Sequence, residues 1–337
     1  MGAAGHAFLP AIRGHAEFEL VAFADPVAEI RQSVSAETGA KAFADIPSML
    51  AGTGLDAVYI ATPTELHAAH AGLAFASGKH VLTEKPLGTS LEEIDRLIAL
   101  ATERQVSLGV FYEMRYAPAH AMAREYILAG AIGDIVGIQV QTLIDKPRTY
   151  WQAGYSGRSI NPWRGIKAQA GGGVVLMNTS HLLDALLYVT GLNVTRVSAE
   201  IGTLVADVEV EDMATATLRF SNGAIGSLIA AAHISGAHNE EFCSIYGTEG
   251  QIRLPDPYGS DPLRIYLRRK WDKLNAGQWY SISLEPVRVY QQAVQDFARA
   301  VKTRGCVPIS ARDARQVLSV VLAIYESAAE KRTILIS

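Results

Sequence analysis

Short apolar runs rich in β-branched residues alternate with stretches of helical periodicity through the first third of the chain. This alternation is typical of a parallel sheet whose crossover helices cover both faces. The apolar runs predict strands at residues 19–24, 57–61, 80–82 and 107–111. Helices are predicted at residues 8–14, 27–38, 46–51, 65–77 and 90–104, the last capped by Thr89 or Ser90. We therefore expect a Rossmann-type, doubly wound parallel sheet within residues 1–112.

From about Glu113 the pattern changes to long period-two stretches separated by hairpin turns such as Ser221-Asn222-Gly223. Such stretches predict a mainly antiparallel sheet. The predicted strands are 135–144, 194–203, 213–220, 224–232, 242–246 and 251–254. The predicted helices are 117–129, 174–190, 287–302 and 311–330. We expect residues 113–337 to form a second α/β domain with a large open sheet.

Composition narrows the class of protein. The 337 residues are 49% hydrophobic, which is ample for the buried cores of two domains. The chain has 30 Lys and Arg against 34 Asp and Glu, a net charge of −4, and no long block of one sign. We therefore expect a small-molecule substrate, with no nucleic acid and no membrane as partner.

The cysteines and the apolar segments of the sequence indicate the cellular compartment of the protein. Cys243 and Cys306 are the two cysteines of the chain, and neither has a neighbouring Cys or His at metal-ligand spacing. A disulfide scaffold and a zinc motif are excluded, so no metal is expected. No signal-peptide pattern is recognised at the N-terminus, and the apolar runs are shorter than a bilayer span. We expect a cytoplasmic protein.

The first residues carry a candidate phosphate-binding turn. Residues 2–6 are Gly-Ala-Ala-Gly-His, followed by a helical pattern, a strand and Asp25. In a dinucleotide fold, glycines let helix N-terminal amides approach the pyrophosphate, and an acidic residue about 20 positions on holds the ribose. We predict that Gly2, Gly5, His6 and Asp25 bind the cofactor. Asp25 favours NAD, because a carboxylate repels a 2′-phosphate, although nearby Arg31 leaves NADP open. A plain loop with a strand-end cap is the alternative.

A complete G-x-G-x-x-G loop follows a strand, whereas Gly2 and Gly5 can be only its second and third glycines. The strand that normally precedes the loop lies in the middle of the sheet and has no counterpart in this sequence. We expect either a start that lies upstream, by about ten residues for a strand of typical length, or a sheet without this strand.

Two predicted strands end in polar motifs. Thr62-Pro63 ends one strand, with His67 in the helix that follows, and Glu84-Lys85-Pro86 ends the next. Ligands of open α/β sheets bind beyond the carboxyl ends of the strands, so both motifs are placed to meet a cofactor.

These motifs resemble those of the glucose-fructose oxidoreductase, inositol dehydrogenase and rhizopine-catabolism family (Gfo/Idh/MocA). The resemblance rests on Thr62-Pro63 with His67, Gly78-Lys79-His80-Val81 and Glu84-Lys85-Pro86. Later segments agree with it: Arg115-Tyr116-x-Pro118, Gly130-Ala131-Ile132-Gly133, Trp163-Arg164, Gly171-Gly172-Gly173 and His181-x-x-Asp184. The likeness covers essentially the whole chain.

The resemblance implies an NAD(P)-binding domain at residues 1–112 and a substrate-binding domain at 113–337. In the family, the open sheet of the second domain commonly forms the interface of a homo-oligomer, here a dimer or tetramer. Members mostly oxidise or reduce a hydroxyl-bearing or carbonyl carbon in sugars, cyclitols and related molecules. It also implies that Lys85 touches substrate near the nicotinamide, beside a Pro86 peptide that is often cis. The implied cofactor-site residues are Thr62, Pro63, His67, Glu84, Lys85 and Pro86.

Hydride loss from a secondary alcohol needs a base for the hydroxyl proton and positive charge near the developing oxyanion. Lys85 can supply the charge, and His181, with an ordinary pKa near neutrality, can accept the proton. Helical spacing places His181 on one face with Asn178 and Asp184. An ion pair with Glu84 is the alternative for Lys85, and a core position is the alternative for His181.

One position departs from the family pattern. Many members have Asp four residues before the histidine, where this chain has Met177, with Asn178 next. Asn178 can orient a substrate hydroxyl but cannot act as a base at neutral pH, so proton transfer falls to Lys85 or His181. Further substrate-binding candidates are Arg115, Trp163, Arg164 and Asp184, each of which fits a packing role equally well.

Three functions fit the motifs. The main hypothesis is an NAD(P)-dependent dehydrogenase or reductase of a small polyol, sugar or cyclic diol. A non-catalytic dinucleotide-binding regulator, or a truncated inactive paralogue, is the second, motivated by Met177 and the absent first strand. The third is a relative that uses bound nicotinamide transiently to cleave glycosides.

Overall fold

The computed structural model describes residues 2–154, 157, 161–237, 240–255 and 261–336. The chain forms two compact units. The first comprises Met1–Phe111, Gln152–Trp163 and Arg288–Arg315, and the second comprises Tyr112–Trp151, Arg164–Val287 and Gln316–Ser337. Among the described residues, no helix combines the length and the apolar character needed to span a bilayer.

Helices and strands alternate in the first unit, and strands dominate the second. The α-helices are α1 (Ala3–Arg13), α2 (Ala28–Thr38), α3 (Ile46–Gly52), α4 (Thr64–Ala76), α5 (Leu91–Glu103), α6 (Pro118–Leu128), α7 (Thr149–Ala153), α8 (Lys167–Ala170), α9 (Ser180–Thr190), α10 (Val289–Thr303) and α11 (Ala311–Glu330). The strands are β1 (Ala22–Ala24), β2 (Lys41–Phe43), β3 (Ala57–Ile60), β4 (His80–Glu84), β5 (Leu108–Phe111), β6 (Ile135–Leu143), β7 (Val194–Gly202), β8 (Met213–Phe220), β9 (Ile225–Ala231), β10 (Glu240–Gly247), β11 (Gly250–Leu254), β12 (Leu263–Leu267), β13 (Trp279–Ile282) and β14 (Ile334–Leu335). Glu113–Tyr116 and Trp163–Gly165 are 3-10 helices, and Val175–Thr179 is a π-helix.

The parallel strands of the first unit form two separate sheets. β1 pairs with β2, while β3, β4 and β5 form the second sheet in that order. In a Rossmann-type fold, the strand before the glycine loop lies between the strands that correspond to β1 and β3. No strand of the described chain lies there, as the sequence predicts. The predicted α/β fold is confirmed, and only the three-residue β2 is additional to the predicted strands of this unit.

Phe8 fixes α1 to the β3–β5 sheet. Its fully buried ring lies with its centroid 4.1 Å from that of Tyr59 in β3 and 4.7 Å from that of Phe111 in β5. Tyr290 of α10 completes the cluster at 5.1 Å. Clusters of this kind bury large apolar areas and contribute strongly to a core. The helix that begins after Gly2 is therefore held firmly against the strands.

The second unit is built on a sheet of nine described strands, in the order β13-β12-β11-β10-β6-β9-β8-β7-β14. β6 and β9 run parallel, and the other neighbours are antiparallel. The mainly antiparallel open sheet predicted from the sequence is confirmed. Ile138, Val140 and Leu228 are buried on one face, and α9 packs on β10. This packing places the helix that carries His181 against the sheet.

His120 on α6 is a buried polar residue with an expected effect on stability. It is fully buried, and neither ring nitrogen has a hydrogen-bond partner among the described residues. Burial lowers its pKa to about 4. A histidine in the unfolded chain titrates near pH ~6.5, so the unfolded state binds more protons between these two values. Stability contributed by the neutral ring is therefore lost as the pH falls from about 6.5 towards 4.

We expect His120→Leu to raise the free energy of unfolding at pH 7 by about 1 kcal/mol or more, because an unsatisfied polar group is removed from the interior. The gain should grow at pH 5, where the parent loses stability through the histidine. Urea unfolding followed by circular dichroism at both pH values measures the difference. A variant no more stable than the parent at either pH contradicts the prediction.

Candidate active site

The N-terminus of α1 is an open set of backbone donors. Gly2 is the N-cap residue and has no side chain to cap the first turn. A Cβ at Gly2 would meet no described atom within 4 Å, so there is open space beside this residue. Helix N-termini of this kind bind phosphate groups through free N–H groups and the helix dipole. Gly5 and the exposed His6 lie in the first turn, so the structure places all three predicted residues at this end.

Asp25 directly follows β1. One carboxylate oxygen accepts a hydrogen bond from the Val27 N–H at 2.9 Å. The guanidinium of Arg31 donates to the backbone carbonyls of Asp25 and Pro26 at 2.8 and 2.9 Å. Asp25 thus caps the turn, as the alternative from the sequence has it. Its contact with a ribose stays a prediction.

His67 connects the loops that follow β3 and β4. Its Nδ1 lies 2.6 Å from the carbonyl oxygen of Pro86, and its Nε2 lies 2.7 Å from that of Thr62. Burial lowers the pKa of His67, while these two hydrogen bonds oppose the shift. His70, one turn later, lies with Nδ1 3.3 Å from the side-chain oxygen of Thr62. The structure brings the two predicted motifs, Thr62-Pro63 and Glu84-Lys85-Pro86, together through His67.

The Glu84-Lys85-Pro86 motif ends β4. The hydroxyl of Tyr59 in β3 donates to the Glu84 carboxylate at 2.6 Å. Burial raises the pKa of Glu84, although the Tyr59 hydrogen bond and the positive charge of Lys85 act against this shift. The Lys85–Pro86 peptide bond is cis, as the resemblance implies. Lys85 itself is partly exposed and lies between two neighbours that are held in place.

The triple glycine of the second unit packs against a buried carboxylate. Glu211, which is 6% exposed, accepts hydrogen bonds from the N–H groups of Gly173 and Val175 at 2.7 and 2.9 Å. The Tyr325 hydroxyl donates to it at 2.9 Å. Burial raises the pKa of Glu211, and these hydrogen bonds oppose the shift. A Cβ at Gly172 would overlap the Tyr325 hydroxyl, which explains one of the glycines.

The prediction of a single helix over residues 174–190 is wrong for the first residues of that range. Val175–Thr179 forms a π-helix, and α9 begins at Ser180. The Glu211 carboxylate accepts hydrogen bonds from N–H groups at the start of this segment, which have no partner within the helix. A π-helical turn next to α9 is typical of functional sites. Asn178 lies on this turn.

His181 lies in the first turn of α9, beside Glu113 of the 3-10 helix Glu113–Tyr116 and Tyr112, the residue that precedes this helix. Its Nε2 lies 3.7 Å from a carboxylate oxygen of Glu113, and its ring lies edge-on to that of Tyr112, with centroids 5.9 Å apart. A carboxylate beside an imidazole stabilises the protonated ring and orients it. Glu113 is not among the residues predicted from the sequence, although it lies two residues before the Arg115-Tyr116 motif.

Arg115 and Asp184 bind each other. The guanidinium donates from Nε and Nη2 to the two carboxylate oxygens at 2.7 Å each. The side chains are 9% and 0% exposed. Such a bidentate pair fixes geometry strongly, so it ties α9 to the segment that carries Glu113. Both Asp184 oxygens bind Arg115, so the carboxylate beside the His181 ring is that of Glu113.

A second polar group surrounds Tyr150. Its hydroxyl lies 3.7 Å from the sulfur of Met177. The ammonium of Lys146 lies 3.8 Å from the centre of the Tyr150 ring, and the Arg164 guanidinium lies 5.6 Å from it. Cations over an aromatic face are held by its quadrupole. Tyr150 thus contacts both Lys146 and Met177, the position at which many family members have Asp. Lys146 is not among the residues predicted from the sequence.

The predicted site residues divide between the two units. Those predicted for the cofactor, with Lys85, belong to the first unit, as does Trp163. Asn178, His181, Arg115, Arg164 and Asp184 belong to the second. Asn178 Oδ1 is buried and has no hydrogen-bond partner within the described part of the chain. Each unit thus presents its own set of polar groups.

A glycine-opened helix, an acidic residue after the next strand and polar loops beyond β3 and β4 are features of a dinucleotide-dependent enzyme. Two family models match the chain. The oxidoreductase family with an NAD-binding Rossmann fold matches residues 1–112, and the GFO/IDH/MocA C-terminal domain matches residues 120–253. The chain belongs to the Gfo/Idh/MocA family, as its motifs predict. It is an oxidoreductase with an NAD-binding Rossmann fold.

Known relatives match the chain over most of its length. The 1,5-anhydro-D-fructose reductase of Ensifer adhaerens is 29% identical in an alignment of 320 positions that covers 92% of this chain and 89% of the relative. The levoglucosan dehydrogenase of Pseudarthrobacter phenanthrenivorans is 28% identical in an alignment of 350 positions, gaps included, that covers 90% of this chain and 87% of the relative. A solved levoglucosan dehydrogenase in complex with NADH has a TM-score of 0.88 at 26% identity, covering 100% and 97%.

Proposed function

We propose that the protein transfers a hydride between NAD and a hydroxyl-bearing or carbonyl carbon of a small sugar, cyclitol or cyclic diol. The observation that carries this proposal is the polar surface of the second unit, where His181 lies beside Glu113 and the buried Asn178 amide oxygen has no partner among the described residues. A buried acceptor of this kind favours a ligand that supplies hydroxyl donors. The names of both relatives specify a sugar as substrate. The cytoplasm stays the predicted compartment.

In this proposal, oxidation breaks the O–H and C–H bonds of one carbinol group and leaves a carbonyl. The hydroxyl proton moves to His181 or to Lys85. If His181 takes it, the Glu113 carboxylate stabilises the imidazolium. Lys85 places positive charge beside the developing oxyanion. When bound, NAD would supply the acceptor for the hydride of the carbinol carbon.

The other predicted residues have assigned roles in the same proposal. Gly2, Gly5 and His6 bind the pyrophosphate at the start of α1, where there is open space beside Gly2. Asp25 binds the adenosine ribose. The nicotinamide end is held by Thr62, Pro63, Glu84 and Pro86, and His67 contacts the backbone carbonyls of Thr62 and Pro86. Asn178 orients a substrate hydroxyl, and Trp163 and Arg164 are the remaining proposed substrate contacts. Arg115 and Asp184, which the sequence also offers as substrate-binding candidates, bind each other in a buried pair and position α9 instead.

The experiment is a substrate panel. Purified protein is mixed with NAD and inositols, levoglucosan, anhydro-alditols and hexoses, and NADH formation is followed by its absorbance. We expect turnover with at least one member. If NAD binds and no member reacts in either direction, the proposal is contradicted. Release of free sugar from glycosides without net NADH formation identifies the glycoside-cleaving alternative instead.

Asp25→Asn tests the cofactor preference. The amide keeps an oxygen for the Val27 N–H but loses the charge that accepts ribose hydroxyls and repels a 2′-phosphate. We expect the Kd for NAD to rise by roughly tenfold, and the ratio of NADP to NAD affinity to rise with it. Fluorescence titration with both nucleotides measures the two constants. A ratio equal to that of the parent contradicts the assignment of Asp25.

We further infer a homo-oligomer, a dimer or tetramer, that assembles through the face of the large sheet away from the buried Ile138. The strand register places four apolar or aromatic residues in one row across that face: Trp279, Tyr266, Tyr246 and Ile225. Trp279 and Ile225 are 43% and 51% exposed. Exposed apolar residues that share a face favour association. Multi-angle light scattering measures the mass, and a monomer at micromolar concentration contradicts the inference.

A further inference from the structure

We propose that His67 is a positioning residue for Lys85, an inference that rests on the function proposed above. His67 lies on the first turn of α4 and is 2% exposed. Its two ring nitrogens reach the carbonyl oxygens of Pro86 and Thr62 at 2.6 and 2.7 Å. A single buried ring therefore holds the backbone on the carboxyl side of Lys85.

Lys85 lies between two fixed points. On its amino side, the carboxylate of Glu84 accepts the hydrogen bond of the Tyr59 hydroxyl at 2.6 Å. On its carboxyl side, the Pro86 carbonyl is the atom that His67 contacts. The direction in which a side chain leaves the backbone follows from the backbone on both sides of it. Losing one fixed point therefore displaces the ammonium, and displacements of about 1 Å cost roughly 100-fold in rate.

The two carbonyl partners constrain the protonation of His67. A carbonyl oxygen only accepts, and a neutral imidazole has a single N–H to donate. A neutral ring therefore donates to one carbonyl at a time, and an imidazolium donates to both. Burial lowers the pKa of His67, with the charges of Lys85 and His70 acting in the same direction. We expect the ring to be neutral at neutral pH. Removing it therefore removes one N–H···O hydrogen bond to a backbone carbonyl.

Two other roles for His67 make different predictions. If His67 contacts the cofactor directly, as the resemblance implies, its substitution should raise the Kd for NAD. If His67 has only a packing role, its substitution should lower the free energy of unfolding, and the folded enzyme should keep normal turnover. Positioning of Lys85 instead lowers kcat and changes the reactivity of the Lys85 amine.

The test compares three variants of full-length protein. His67→Phe keeps an aromatic ring and removes both ring nitrogens, while His67→Gln keeps one donor and one acceptor. The matched control is His70→Phe, one turn later on α4. His70 contacts the side chain of Thr62, whereas His67 contacts the backbone carbonyls of Thr62 and Pro86. We expect kcat to fall roughly 10- to 100-fold in His67→Phe and less in His67→Gln, with the Kd for NAD within about threefold of the parent. His70→Phe should keep kcat within about threefold.

A second readout needs no turnover. The rate at which an amine reagent modifies Lys85, followed across pH by peptide mass spectrometry, gives the pKa of that amine. A displaced Lys85 should titrate differently in His67→Phe and like the parent in His70→Phe. This measurement tests the inference on His67 even if no sugar in the panel reacts, an outcome that counts against the proposed function alone.

Parent-like kcat and parent-like Lys85 titration in folded His67→Phe overturn the inference. A loss confined to the Kd for NAD also overturns it, because His67 is then a cofactor-binding residue. If His67→Phe does not fold, His67→Gln carries the same comparison. Circular dichroism and thermal unfolding establish that each variant is folded before its kinetics are compared.

Discussion

Lys85→Ala lowers kcat for polyol oxidation by roughly 10²- to 10⁴-fold while NAD still binds. The substitution removes the positive charge next to the developing oxyanion and one of the two candidate proton acceptors. Lys85 is partly exposed, and the neighbouring backbone is held through Glu84 and Pro86, so the fold should survive. Initial rates at saturating NAD, together with the Kd for NAD from fluorescence, measure the two effects separately.

The matched control is Lys79→Ala. This lysine directly precedes β4, so the two substitutions remove the same charge from opposite ends of one strand. We expect turnover within about threefold of the parent, because a screened charge at the far end of the strand interacts weakly with the reacting atoms. Turnover retained in Lys85→Ala would remove Lys85 from the catalytic assignment and leave proton transfer to His181.

Gly173→Ala should have the largest effect on stability. A Cβ at this position would overlap the backbone carbonyl oxygen of Glu211, and a backbone atom cannot move aside as a flexible side chain can. The same peptide N–H donates to the Glu211 carboxylate at 2.7 Å, so any shift also breaks a buried hydrogen bond. We expect a loss of about 3 kcal/mol or more in the free energy of unfolding. Urea unfolding followed by circular dichroism measures this loss.

Gly72→Ala provides the comparison for that prediction. Gly72 lies inside α4, and an added Cβ there meets no atom within 4 Å. Alanine in a helix interior is about 0.5–1 kcal/mol better than glycine, so this variant should be slightly more stable than the parent. If the two alanine variants unfold at the same urea concentration, crowding against Glu211 is not what requires the glycine.

Much of the fold was predictable because the spacing of apolar residues along a helix or strand follows from which of its faces is buried. Helix α5 illustrates this: Ser90, one of two predicted caps, accepts the N–H of Glu93 at 3.2 Å and begins the helix. The strand Lys41–Phe43 was missed because three residues are too short to show a period. Strands Leu263–Leu267 and Trp279–Ile282 were missed because arginines and polar residues interrupt them. Pairing of the first with β11, and of the second with the first, defines them as part of the sheet.

The candidate site was predictable only where its residues are close in sequence. The face of α9 with His181 and Asp184 follows from helical spacing. Glu113 was not recoverable, because 68 positions separate it from His181 and no local pattern joins them. The same holds for Glu211, whose carboxylate accepts the N–H of Val175 at the start of the π-helix. Contacts made in three dimensions decided both points.

The division of the parallel strands has a consequence for ligand linkage. Asp25 ends a strand of the two-stranded sheet, while Thr62 and Lys85 follow strands of the three-stranded one. The residues proposed for the adenosine and nicotinamide halves of one dinucleotide therefore belong to ladders that share no hydrogen bond between described strands. A nucleotide that binds both sets of residues would link the two sheets. Because it binds the folded unit only, it would raise the free energy of unfolding of this unit, by an amount that grows with the logarithm of the ratio of nucleotide concentration to Kd.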